Sequence, residues 1–404
     1  MTKFKFLRSL LPDWFKGIFR KIRFQLQLRS SVIAKITEPH EIGEVIKTVK
    51  EETIEKVSFQ KTYDYILSAQ VLYRSGKLDL MKYQNMTVFV SSDFLLGSNQ
   101  VVWYKYYYPQ FTKIIPSDQN LVKWEQDKLY IRKFKRTYHE SVAFSLCGVA
   151  SKPWAHFIVE YLPKLYLLPE ILKIDPRVLT VIIPNYPDPQ VREIVYGYLK
   201  NLERVKILEL KDGETVTCDT LYHIDNTAWL SECIEYTSPI DGIIPKFVAD
   251  ALKKNLLADY EKHNYDSDKD TYSKTEKLFL ARNNYRNLVN YAEVESYFIK
   301  KGYKVVYPHM LSLTEKIKLF KNALLIVGPM SSGFTNVIFS RRGTKVLMMM
   351  NFQKVFESYF GFVVDNFGID ITNICGTDVK STDFNSSYYI PLSKIMEACD
   401  KLGF

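Results

Sequence analysis

Leu324-Leu325-Ile326-Val327-Gly328-Pro329-Met330-Ser331-Ser332-Gly333-Phe334-Thr335-Asn336 runs from an unbroken apolar stretch into a turn of small residues. An apolar run without alternation marks a strand buried on both faces, as in parallel sheets. A helix is expected from about 333 to 340. Backbone N–H groups at its start, with the hydroxyls of Ser331, Ser332 and Thr335, can cradle a phosphate group favoured by the helix dipole. Gly333 permits a ligand to come close, and Gly328 and Asn336 bound the stretch. The plainer reading is a strand-turn-helix unit capped by Ser331 or Ser332.

Working outward, the same alternation continues on both sides. Strands are expected over 278–281, 305–307, 323–327 and 345–350. Helices are expected over 292–301, ended by Gly302, and from Ser312 to Asn322. Ser312 and Glu315 have the spacing of a capping box. Such repeats form a doubly wound α/β sheet whose ligands bind at the carboxyl ends of the strands. A final helix covers 391–402.

The first half begins with short aromatic or β-branched strands over 86–90, 101–108 and 129–134. It then alternates strand and helix: 142–146, 153–168, 178–183, 189–202 and 205–210. Residues 261–276, EKHNYDSDKDTYSKTE, are polar and read as a linker. The expected organisation is a segment 1–40, a Rossmann-like domain 41–260 with extra strands, the linker, and a second Rossmann-like domain 277–404.

Composition agrees with a folded chain too long for one core. It has 404 residues, 47% hydrophobic and 25% charged. The net charge of +10 favours anionic partners. Eight basic residues against Asp13 alone lie in the first thirty positions, so the body is nearly balanced and nucleic acid is not the expected partner. Leu7, Leu11, Phe15, Ile18 and Phe19 recur at helical spacing among those charges. This reads as a basic amphipathic helix, either lying on an anionic membrane surface or packed on the protein. Cys147, Cys218, Cys233, Cys375 and Cys399 are scattered, which fits a reducing compartment and no zinc site. With neither an apolar run of membrane-spanning length nor a secretory leader in view, the expected location is cytoplasmic, peripheral on the inner membrane face.

Two further stretches carry chemistry. Arg282 and Arg286 follow the strand at 278–281, where guanidinium groups would meet phosphate oxygens; the bland reading is solvated arginines. Asn290, with Glu293 three residues on, could also cap the next helix. His156 and Glu160 stand at i and i+4 on one helix face. Either the imidazole or the carboxylate could serve as a general base, or the pair could be structural. Asp266-Ser267-Asp268 has the look of a metal-holding pair but lies in the polar linker and reads as solvated charge.

Together these stretches resemble glycosyltransferase family 61. The family's His, acidic residue and Leu-Pro-Arg correspond to His156, Glu160, Leu162-Pro163 and Lys164. Its two Arg and an Asn correspond to Arg282, Arg286 and Asn290. Leu311 to Lys316 matches its Leu-Ser-Leu-x-Glu-Gln stretch, and Gly328 to Asn336 its Gly-Pro-His-Gly-Ala-Gly-Leu-Thr-Asn stretch. Met330 stands where the family has His, Ser331-Ser332 replaces Gly-Ala, Lys164 the Arg and Lys316 the Gln; His309 is a candidate replacement for the missing His. The resemblance implies a GT-B architecture, two Rossmann-like domains facing a cleft. It also implies an inverting, metal-independent transfer from a UDP-sugar to a hydroxyl of a glycan or polysaccharide, as in capsule or cell-surface polysaccharide synthesis, with no cofactor. The donor would lie against Arg282, Arg286, Asn290, Gly328, Ser331, Ser332, Gly333, Thr335 and Asn336, with His156 or Glu160 as base. The competing expectations are a non-catalytic nucleotide- or glycan-binding protein of the same fold and another Rossmann nucleotide-sugar enzyme. The latter would want a Gly-x-Gly-x-x-Gly turn, which the chain lacks.

Overall fold

The computed structural model describes residues 24–51, 53–58, 61–63, 70–75, 77–103, 118–230, 242–258, 277–282, 287–351, 358–379 and 386–404. Most of the N-terminal basic segment, the linker at 261–276, the Asp266–Asp270 stretch, Cys233 and Arg286 lie outside these.

The chain is mixed α/β with two large sheets. The second matches the expectation closely. Strands Lys304–Val306, Lys277–Leu280, Leu325–Pro329, Lys345–Asn351 and Asp370–Asp378 lie in that spatial order, all parallel. Alternate residues enter separate cores on its two faces. Leu278, Leu280, Ile326, Val346 and Met348 join one cluster. Phe279, Val327, Leu347 and Met349 join another, with Val294 and Phe298 from one helix and Ile395 and Ala398 from the last. The period-2 pattern therefore buries both faces, as a doubly wound sheet requires. In chain order the strands run 2-1-3-4-5, which puts the switch point between Lys277–Leu280 and Leu325–Pro329.

Gly328 makes that neighbourhood possible. Its φ is +153°, and a Cβ there would stand 2.4 Å from the Leu280 carbonyl oxygen. Only glycine lets the two strands approach so closely. The capping box forms as read: Ser312 Oγ accepts from the Glu315 N–H at 3.2 Å, and the Glu315 carboxylate accepts from the Ser312 N–H at 2.8 Å.

The first sheet departs from a plain doubly wound form. Val205–Leu210, Leu179–Pro184, Tyr138–Ser145 and Thr215–His223 are parallel. Leu78–Phe89 then pairs antiparallel with the last of these and leads to a mixed flank in which Val32–Ile36 pairs antiparallel with Lys128–Ile131 and parallel with Gln100–Val102. The early aromatic strands thus extend the first sheet. Lys61–Thr62 instead adds to the second sheet, parallel to Asp370–Asp378. One apolar cluster takes Phe144, Trp154 and Val181 from the first half with Phe320, Phe334 and Val346 from the second, so the halves share core.

Candidate active site

His156 and Glu160 lie on a helix that changes pitch. Trp154–His156 is α-helical, Phe157–Tyr161 is a π turn, and Leu162–Leu165 returns to α. Leu162 N–H reaches back five residues to the Phe157 carbonyl. Such wide turns recur at functional sites. The continuous helix expected over 153–168 is therefore broken. The physical cause lies in Pro163, which has no N–H to give the Val159 carbonyl one turn earlier.

His156 Nδ1 and Glu160 Oε2 are 2.8 Å apart, with side chains 23% and 4% exposed. The buried carboxylate meets Nδ1, which fixes the orientation of the ring and sets Nε2 on its far side. The imidazole is the member of the pair that solvent reaches.

Beneath the pair lies a polar core that sequence reading missed. Lys164, 1% exposed, donates from Nζ to Asn226 Oδ1 at 2.7 Å and sits 4.7 Å from the centre of the Tyr161 ring. Tyr161 OH donates to Asp93 Oδ1 at 3.2 Å, which also receives the Val149 N–H at 3.1 Å. Gly148 leaves room for both, since a Cβ there would fall 2.3 Å from Tyr161 Oη and 2.6 Å from Asp93 Oδ1. His223 is buried, and burial first, then the Lys164 charge, push its pKa down to about 3, with Asp93 opposing. Asp225 is buried beside Asn226. These groups sit at and just beyond the carboxyl ends of Tyr138–Ser145 and Thr215–His223. The signal available in sequence is Pro163, whose place in a helix denies Val159 its usual N–H donor.

On the second half, Arg282 follows the Lys277–Leu280 strand and donates from Nη1 to the Met330 carbonyl. Arg282 and Met330 thus bridge the strand ends at the switch point. Met330 N–H donates to the Met349 carbonyl at 2.7 Å, and the Met330 side chain packs on the shared core. Ser331 caps the next helix, its Oγ accepting from the Gly333 N–H at 3.2 Å. That helix, Ser332–Phe339, is 3₁₀. Ser332 is exposed, whereas Thr335 and Asn336 are buried. Asn336 Nδ2 donates to the Gly333 carbonyl at 2.8 Å and closes the first turn. Asn290 starts the Tyr291–Lys300 helix, but its amide donates to Glu293 Oε2 at 3.0 Å and the Ile390 carbonyl at 2.9 Å. Pro308 packs where a Gly333 Cβ would point, 3.1 Å away, which sets the exposed His309 beside the Ser331 turn.

The two motifs meet. The Trp154–His156 turn packs on the Ser332–Phe339 helix, as does the Leu313–Asn322 helix. Among the described residues no three or more His, Cys, Asp or Glu are grouped to hold a metal, and no helix is long and apolar enough to cross a membrane.

No curated protein matches the chain. The sequence model of the family described as Glycosyltransferase 61 matches residues 154–347, a span that opens at the His156 helix and takes in the Arg282, Ser312 and Ser331 segments. Residues 154–347 thus carry the sequence pattern of glycosyltransferase family 61.

Proposed function

We propose that this glycosyltransferase moves a sugar from a nucleotide-sugar, a UDP-sugar in the first instance, to a glycan hydroxyl with inversion, and that His156 is the base. The observation that carries the reading is the His156–Glu160 pair, packed through the Trp154–His156 turn on the helix that follows the Ser331 turn. The donor diphosphate lies at the switch point between Lys277–Leu280 and Leu325–Pro329. Arg282 and the positive end of the Ser332–Phe339 helix, where Ser331 takes the Gly333 N–H, meet its charge. His156 Nε2 takes the proton from the acceptor hydroxyl, whose oxygen attacks the anomeric carbon opposite the diphosphate. The old bond breaks with its electron pair passing to the diphosphate. Glu160 holds the ring in the required tautomer and steadies the imidazolium, as a buried carboxylate does in a hydrolase triad.

The two halves act as the facing domains of a GT-B enzyme, with fixed positive charge in place of a metal. The acceptor is a growing cell-surface or capsular polysaccharide, reached with the basic N-terminal segment resting on the inner membrane face. A thermal-shift screen against UDP-, GDP-, CMP- and dTDP-sugars tests the donor class, since a ligand of the folded state raises apparent stability. The expected result is stabilisation by UDP and its sugars, unchanged by EDTA and lost in Arg282→Ala. Stabilisation that needs added Mn²⁺ would overturn the metal-independent reading.

A further inference from the structure

We infer that Thr227 is a positioning residue for the base, setting Glu160 through the backbone of the helix that carries it; this rests on the role proposed for the His156–Glu160 pair. Thr227 is 2% exposed. Its Oγ donates to the Val159 carbonyl at 2.7 Å, the acceptor that Pro163 leaves without its helical N–H. Its own N–H donates to the Glu160 carbonyl at 3.4 Å. Its neighbour Asn226 receives the Lys164 ammonium at 2.7 Å. Two adjacent residues thus grip positions 159, 160 and 164 of the helix. They follow directly on the Thr215–His223 strand, whose register is held on both sides by the sheet.

This grip fixes where the π turn can form. A buried carbonyl that loses a donor is penalised, so removing the Thr227 hydroxyl favours a shift of the helix. Glu160 is the residue such a shift carries, and the pair's 2.8 Å bond leaves little slack. Other charged or titratable groups packed here include Tyr161 and Lys164 on the same helix and Asp93, His223 and Asp225 from neighbouring segments.

Thr227→Val keeps the side-chain shape and removes the hydroxyl; Thr227→Ser keeps the hydroxyl. The expected result for Thr227→Val is a loss in kcat on the order of tenfold to a hundredfold. UDP affinity by thermal shift stays unchanged. The His156 titration midpoint, followed by NMR of ¹⁵N-labelled imidazole, falls because a displaced Glu160 favours the imidazolium less. Thr227→Ser restores both. A Val variant with unaltered kcat and midpoint, or a Ser variant as impaired as Val, would overturn the inference. The titration needs no turnover. A shifted midpoint in a chain that transfers no sugar would count against the proposed function alone.

Discussion

The Lys316 ammonium lies 4.2 Å from the centre of the Trp154 ring, across the join between the two halves. The same Nζ donates to Gln190 Oε1, and Gln190 Nε2 donates to the Leu311 carbonyl. Lys316 stands at the family's Gln position and is 2% exposed. The Ser312 stretch therefore works as a joint as well as a helix start: it ties the Leu313–Asn322 helix to Trp154, two residues from His156.

A buried ammonium has a pH signature. Burial lowers the Lys316 pKa to about 8, with Asp188 and Glu193 partly opposing. Above about 8 the folded chain releases this proton while the unfolded chain keeps it up to its usual value of 10.5. Stability carried by this group therefore rises with pH across that window, by up to about 1.4 kcal/mol per pH unit. Denaturant titrations of wild type and Lys316→Met between pH 7 and 9.5 check it. The slope should be present in wild type and absent in the variant; parallel curves would sink the assignment.

His223 predicts an acid limb. Its folded pKa of about 3 lies below the ordinary 6.5 because the ring is buried and near Lys164. As pH falls from 6.5 toward 3 the unfolded chain takes up a proton that the folded chain refuses, so stability is lost with falling pH. His223→Gln should show a shallower loss over this range than wild type. An identical acid limb would mean that the ring is not buried neutral.

Gly328 and Gly197 make a matched pair. Alanine at 328 must fit against the Leu280 carbonyl at an unfavourable φ. It should cost about 2 kcal/mol or more. Gly197 lies within the Pro189–Leu199 helix with nothing near its Cβ position. Alanine there should stabilise by about 0.5–1 kcal/mol. Thermal unfolding of both variants checks the strand contact, and a harmless Gly328→Ala would contradict it.

The basic N-terminal segment predicts membrane binding. Removing residues 1–30 should leave a folded protein that no longer sediments with anionic liposomes. Equal sedimentation of both forms would remove the anchor.

What could be read beforehand was what local pattern encodes. The Leu325–Pro329 strand, the Ser312–Glu315 box and the Lys345–Asn351 strand came from short-range periodicity and capping chemistry, and the structure has each within a residue or two. The i, i+4 spacing of His156 and Glu160 sufficed to pair them. Illegible were contacts between segments far apart in sequence: Thr227 on Val159, Asn226 on Lys164, Gln190 on Lys316, Lys61–Thr62 on the second sheet. None has a local signature, because each is decided by where the sheets bring strand ends together. The 3₁₀ form of Ser332–Phe339 was hidden for a related reason: Asn336 turns inward to hold Gly333, a choice that composition does not reveal.

If His156 is the base, turnover of the His156 and Glu160 variants will show it. With a UDP-sugar donor and its acceptor, His156→Ala should lower kcat by ~10²–10⁴ with UDP affinity unchanged. Glu160→Gln, which keeps the shape and loses the charge beside Nδ1, should lower it less. Near-normal turnover in His156→Ala, or a larger loss in Glu160→Gln than in His156→Ala, would rule out His156 as the base.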